Sequence, residues 1–85
     1  MIKRRVIRSR KENGDITILG NPFEYWNPKV KDEIIEEIET GLYYYYVECE
    51  KNKEIEIKIL RKKNKKFLTT DPLLSTNKLL ELPDC

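Results

Sequence analysis

The sequence predicts an α+β fold: a single five-stranded antiparallel sheet, order 2-1-3-4-5 in a ββαβββ chain, with one helix on one face. Three observations predict it. Residues 42–50, LYYYYVECE, hold four consecutive tyrosines and a valine, the strongest strand pattern in the chain. Asn13 and Gly14 stand between two strand-like runs, and Asn-Gly is the preferred pair for a two-residue type I′ turn, where both central residues need positive φ. Residues 28–40 repeat apolar positions at helical spacing.

The first strand covers residues 2–11 and the second 15–19. The turn pairs Glu12 with Asp15, and then Lys11 with Ile16, Arg10 with Thr17, Ser9 with Ile18 and Arg8 with Leu19. Alternation places Ile7, Ser9, Ile16 and Ile18 on the core face, with Arg4, Arg8, Arg10 and Thr17 on the other. Residues 20–26, GNPFEYW, form a loop whose rings, Phe23, Tyr25 and Trp26, cap the core beside the helix or make a binding edge. The helix is expected over 28–40, with Asn27 as N-cap, Pro28 at its first position and Gly41 as its stop. Val30, Ile34, Ile35 and Ile38 make its apolar stripe. Its charges oppose the helix dipole, lysines at the start and Glu36, Glu37 and Glu39 at the end, which contact with a basic neighbour would explain.

The third strand sends Tyr43, Tyr45, Val47 and Cys49 to the core, and Leu42, Tyr44, Tyr46, Glu48 and Glu50 outward. A loop at 51–53 pairs Cys49 with Ile55, Val47 with Ile57 and Tyr45 with Ile59, which sets every apolar residue of the fourth strand on one face. Tyr46 is then opposite Lys58, and Tyr44 opposite Leu60. In the fifth strand, 66–70, Leu68 joins Ile59 inside and Phe67 joins Leu60 outside. Residues 71–85 read as an irregular tail with a helical turn near 77–80. A right-handed crossover through the helix makes the third strand parallel to the second and antiparallel to the first, its neighbour.

Eighty-five residues make one domain, covering 1–85. Charged residues are 38% of the chain, yet the net charge is +2, and the global balance points to neither nucleic acid nor membrane. The charge is segregated: residues 1–12 carry six basic side chains against Glu12, and 29–40 carry two lysines against five acids. Cys49 and Cys85 have no metal-type spacing, and two lone cysteines fit a reducing compartment in which they stay unpaired. No apolar run follows the basic start or approaches membrane-spanning length, and a cytoplasmic protein is expected.

Trp26, the run VKDEIIEEIETG with the tyrosines that follow it, KFLTTDP, and the closing NKLLELPDC together resemble a family of small prokaryotic domains of unknown function. That family shows a glycine-turn hairpin, a W…VI..IE.G…YYV middle and an N-L-L-x-L-P-x-C end. Phe67 stands where its pattern favours Tyr, and Leu73 where an acid is commoner. The resemblance implies a single small domain and supplies no activity or catalytic residue.

The chain has no histidine, the commonest acid–base group and zinc ligand, and no phosphate-binding glycine loop, EF-hand or C-x-x-C. No enzyme, cofactor or metal site is expected. Two readings follow. In the first, the outer sheet face is a binding module for an anionic nucleotide or single-stranded nucleic acid. Tyr44, Tyr46 and Phe67 stack the base while Arg8, Arg10 and Lys58 hold phosphate. A small protein that sequesters a nucleotide, including one from a phage, fits this reading. In the second, the same face contacts a protein partner or a second copy of the chain. The plain alternative to both is that the C-terminal leucines cover Tyr44, Tyr46, Leu60 and Phe67.

Overall fold

In a computed structural model of the chain, residues 2–49, 53–70 and 78–84 are described. Most of the expected tail, Cys85 and the Cys49 side chain lie outside them, and with these the pairing state of the cysteines. The fold is α+β, with one α-helix and eight strands among the described residues: β1 (Ile2–Arg5), β2 (Arg8–Glu12), β3 (Asp15–Gly20), β4 (Lys29–Val30), α1 (Lys31–Glu39), β5 (Tyr43–Cys49), β6 (Lys53–Glu56), β7 (Lys58–Lys62) and β8 (Lys65–Thr69). A short 3₁₀ turn follows at Lys78–Glu81.

The single five-stranded antiparallel sheet is not formed. The strands make three separate sheets, β1-β5-β6, β2-β3-β4 and β7-β8. The expected first and fourth strands are each broken in two. At the first break, the Val6 N–H bonds the Tyr46 carbonyl on one side while the Ile7 N–H bonds the Gly20 carbonyl on the other. Adjacent residues thus serve different sheets. At the second, the Ile57 N–H still reaches the Tyr45 carbonyl, and from Lys58 the chain pairs with β8. A second correction concerns direction: β1 runs parallel to β5, with Ile2 beside Tyr43 and Arg5 beside Tyr46.

The break at Val6 also reverses the inside–outside alternation. Arg4 and Val6 point inward, and beyond the break Ser9 does. A bulge between Arg10 and Lys11 does the same to β3: Lys11 faces Ile16 as expected, but Arg10 faces Ile18 and Ser9 faces Leu19. Leu19, rather than Ile18, is therefore in the core.

The helix begins three residues later than expected. Its N-cap is Val30, which pairs with Ile18 in β4 and is exposed instead of joining the apolar stripe. Asn27 serves the preceding loop, where its Oδ1 accepts the Asn21 N–H. Gly41, at φ +75°, ends the helix as expected and donates to the Ile38 carbonyl. Ile34 and Ile35 are buried against Trp26, Tyr45, Val47, Ile57, Leu68 and Leu79. Two of the opposed helix charges have partners: Glu37 lies near Arg4 and Lys29, and Glu39 bonds Arg61 and Lys66.

The β7–β8 hairpin keeps its expected register, Ile59 with Leu68 and Leu60 with Phe67, around Lys63 and Asn64 at positive φ. The β5–β6 hairpin is shifted by two residues: Val47 faces Ile55 and Tyr46 faces Glu56. A two-residue shift preserves the faces and changes only the partners. The 3₁₀ turn closes the core, with Leu79 fully buried and its carbonyl accepting the Ser9 hydroxyl at 2.5 Å. Lys11 donates to the Leu82 carbonyl and the Ser9 N–H to the Pro83 carbonyl.

Candidate functional site

The six residues expected on one face are divided among the sheets. Tyr44 and Tyr46 remain together, half-buried on the outer side of β5, with ring centroids 6.2 Å apart. Lys3 and Arg5 flank them on β1, and Glu56 stands opposite Tyr46, where Lys58 was expected. Lys3 is 3.0 Å from Glu54, and Arg5 is 3.5 Å from Glu48. Both cations beside the tyrosines thus already face acids. Burial, with Glu56 and Glu54 adding to it, raises the Tyr44 hydroxyl above its usual pKa. This is an electronegative setting, unsuited to phosphate. The described tail residues pack at Ser9 and Lys11 and beside Val47 and Ile55, so they bond another part of the fold.

Lys58 is exposed and pairs with Thr69 in the β7–β8 sheet. Phe67 is half-buried under α1, with the Lys31 ammonium 5.5 Å from its ring. It borders a wide groove of about 840 Å³ between α1 and the two hairpin turns, lined by five acids and three lysines. Lys31 is held by Asp15 at 2.7 Å, and Lys66 by Glu39 at 2.7 Å. This second site is also dominated by carboxylate.

Arg4, expected on the outside, is 6% exposed. Its guanidinium lies 3.5 Å from the centre of the Tyr43 ring and 5.6 Å from that of Trp26. It donates to the Tyr45 hydroxyl at 2.8 Å, which donates in turn to Glu37 at 2.5 Å. Burial opposes the Arg4 charge, yet the Tyr45 and Tyr25 hydroxyls and Glu37 outweigh it and raise its pKa. Burial likewise pushes the Tyr45 hydroxyl up, far beyond the ordinary phenol range. Arg4, Tyr45 and Glu37 are each engaged with another, so the cluster pins β1, β5 and α1 together.

Arg8 and Arg10 project from β2 on the side opposite the buried Ser9. With Ile18, Pro22, Asn27 and Pro28 they line a groove of about 220 Å³ with no carboxylate among the described residues. Its rim is the 21–28 loop, two successive turns organised by buried Asn21. The Asn21 Nδ2 donates to the Arg5 carbonyl, its Oδ1 accepts the Phe23 N–H, and its carbonyl accepts the Glu24 N–H. The second turn closes with the Asn27 N–H on the Glu24 carbonyl. Trp26 turns into the core, packing edge-on to Tyr45 at 5.6 Å, while Phe23 and Tyr25 are 87% and 88% exposed. The loop rings were visible in the sequence as a binding edge. That Pro22, Asn27 and Pro28 of this loop meet Arg8 and Arg10 was not visible, because it depends on how the loop folds.

Among the described residues there is no group of acids and cysteines placed to hold a metal ion, and no helix is long and apolar enough to cross a membrane. No protein-family model, curated protein or solved structure matches the chain.

Proposed function

We propose that this chain is a non-catalytic binding module for an anionic, ring-bearing ligand of the nucleotide type, taken at the groove of Arg8 and Arg10. The observation that carries the reading is charge: the described lining of this groove includes Arg8 and Arg10 and no acid, whereas the tyrosine face and the groove under α1 are rich in carboxylates. Guanidinium groups bind phosphate through paired hydrogen bonds. Phe23, next in sequence to groove residue Pro22, offers an exposed ring for stacking. Among the described residues the groove has no histidine, carboxylate or thiol to act as acid, base or nucleophile, which supports binding without turnover.

The test is titration of the protein with a panel of nucleotides and short oligonucleotides. Phe23→Ala should remove about 1–3 kcal/mol of stacking and leave the denaturation midpoint unchanged, because the ring makes almost no fold contact. Tyr46→Ala should leave affinity unchanged. Loss of binding in Tyr46→Ala but not in Phe23→Ala would move the site to the other sheet. Aromatic rings with arginine are also the composition of protein interface centres. A wild-type dimer that Phe23→Ala converts to monomer, with no nucleotide bound, would favour the self-association reading instead.

A further inference from the structure

We infer that the β7–β8 hairpin is a second anion-binding surface, independent of the Arg8 and Arg10 groove, and that it holds the phosphate backbone of double-stranded nucleic acid through Lys58, Lys62 and Lys63. Composition is the first argument. Residues 58–66 carry six cations and no acid, in a chain whose net charge is +2. Arg61 and Lys66 face each other and share Glu39, at 2.6 Å and 2.7 Å. Lys58, Lys62, Lys63 and Lys65 are exposed, and no hydrogen bond or ion pair engages their side chains among the described residues.

The second argument is what these lysines cost the hairpin. Lys62 stands directly opposite Lys65, and like charges so placed weaken a ladder. Lys63 has φ +50° in the turn, a left-handed conformation that suits glycine or asparagine and not lysine. Among the described residues β7 pairs with β8 alone, and lysines on a free edge discourage aggregation. That accounts for Lys58 and Lys62. It does not account for Lys63 in the turn, or for Lys65 on β8, which packs against α1. Local stability has been given up for charge, the pattern expected where a chain meets a ligand.

The third argument selects the partner. Protein interface centres are rich in aromatic residues and poor in lysine, whereas the 62–65 tip holds only lysine and asparagine. A stable membrane-surface site adds apolar side chains that enter the lipid, and Leu60 and Phe67 are half-buried in the fold. No ring at the tip can stack an unpaired base, which sets single strands aside. A two-stranded ribbon fits the major groove of a duplex, about 12 Å wide. Lys58 and Lys62 share one face of β7, about 13 Å apart, a length over which a duplex presents about eight charges. Lys65 also lines the groove under α1, whose carboxylates repel phosphate, and the contact is therefore confined to β7 and the turn.

The experiment is fluorescence anisotropy of the intact chain with a labelled sixteen-base-pair duplex over a range of salt. A single strand of the same length, mononucleotides and phosphatidylserine vesicles serve as competitors, and all should compete poorly. Three phosphate contacts predict a slope of log K on log salt near −2.7, or binding about 40-fold weaker at 200 mM salt than at 50 mM. Each of Lys58→Gln, Lys62→Gln and Lys63→Asn should make the slope about 0.9 shallower, while Arg8→Gln and Phe23→Ala leave it unchanged. Lys62→Gln and Lys63→Asn should also keep or raise the urea midpoint, because each removes a local cost. Failure of the duplex to bind, or an unchanged slope in all three lysine variants, would overturn the inference. So would a lower midpoint in Lys63→Asn, which would make that lysine part of the fold. A single strand or vesicles competing as well as the duplex would overturn the choice of partner, and so would a dimer that Lys63→Asn dissociates without any duplex bound. Nucleotide binding that survives every lysine variant would leave the groove reading standing in each of these cases.

Discussion

Removing Glu37 should cost more than removing Arg4, although the two form one ion pair. Arg4 is the buried partner, at 6% exposed, and Glu37 is 17% exposed. In Arg4→Met the carboxylate keeps the Tyr45 hydroxyl at 2.5 Å and Lys29 at 3.4 Å. What is lost is one charged hydrogen bond, about 1.5–3 kcal/mol, and the ring contact with Tyr43, about 2 kcal/mol when dry. Relief of guanidinium desolvation, several kcal/mol, offsets most of this. The net cost should be about 0–2 kcal/mol. In Glu37→Leu the guanidinium stays buried without a counter-ion, and about 3–5 kcal/mol should be lost. A chain of 85 residues has roughly 4–13 kcal/mol in total, so this loss is severe. The double variant should fall between, near 1–3 kcal/mol, most of it the stranded Tyr45 hydroxyl. Urea denaturation followed by circular dichroism gives all three values, with unchanged m-values as the check on two-state behaviour. Arg4→Met proving the costlier single change, or the double variant losing the sum of both, would refute the reasoning.

Two further outcomes are expected. Leu79→Ala should cost about 2–5 kcal/mol, since Leu79 is fully buried, whereas Leu80→Ala at a 46% exposed position should stay within about 0.5 kcal/mol; equal midpoints in urea would detach the tail from the core. Stability should fall above about pH 10, the ordinary tyrosine pKa. There the unfolded chain releases the Tyr45 proton while the folded chain, with its pKa raised, retains it; the contribution is whole below that pH and lost as pH rises through the folded value. Tyrosinate absorbance should show a late step that Tyr45→Phe removes, and all five tyrosines ionising together in the folded protein would contradict it.

Where local chemistry decides, the fold was legible. Asn13-Gly14 set the start of the β2–β3 register, and the β7–β8 pairs followed from apolar matching alone. Tyr45 and Val47 could be assigned to the core because inside–outside parity survives the two-residue shift of β6. Their cross-strand partners could not be assigned, and Glu56 replaced Lys58 beside Tyr46. Parity fails where the backbone inserts an irregularity, at Val6 and near Thr17, and no residue there announces it: neither position is Gly or Pro. Those two defects turned Arg4 inward and separated Arg8 and Arg10 from Tyr44 and Tyr46. They dispersed the expected site while leaving the composition of the core nearly intact.

The contact between Ser9 and the Leu79 carbonyl joins residues 70 positions apart. Closing a loop of that length costs about 2.5 kcal/mol more chain entropy than closing one of about four residues. The β2–β3 and β7–β8 hairpins need no such closure, and each gathers its own pairs around a two-residue turn. The order of assembly follows: local hairpins first, the parallel β1–β5 ladder later, and the 3₁₀ turn last. Contacts made after the rate-limiting barrier govern how quickly the native state opens and hardly affect how quickly it forms. Leu79 therefore acts as a latch on the lifetime of the folded protein, and the turns of the hairpins set the pace at which it is reached.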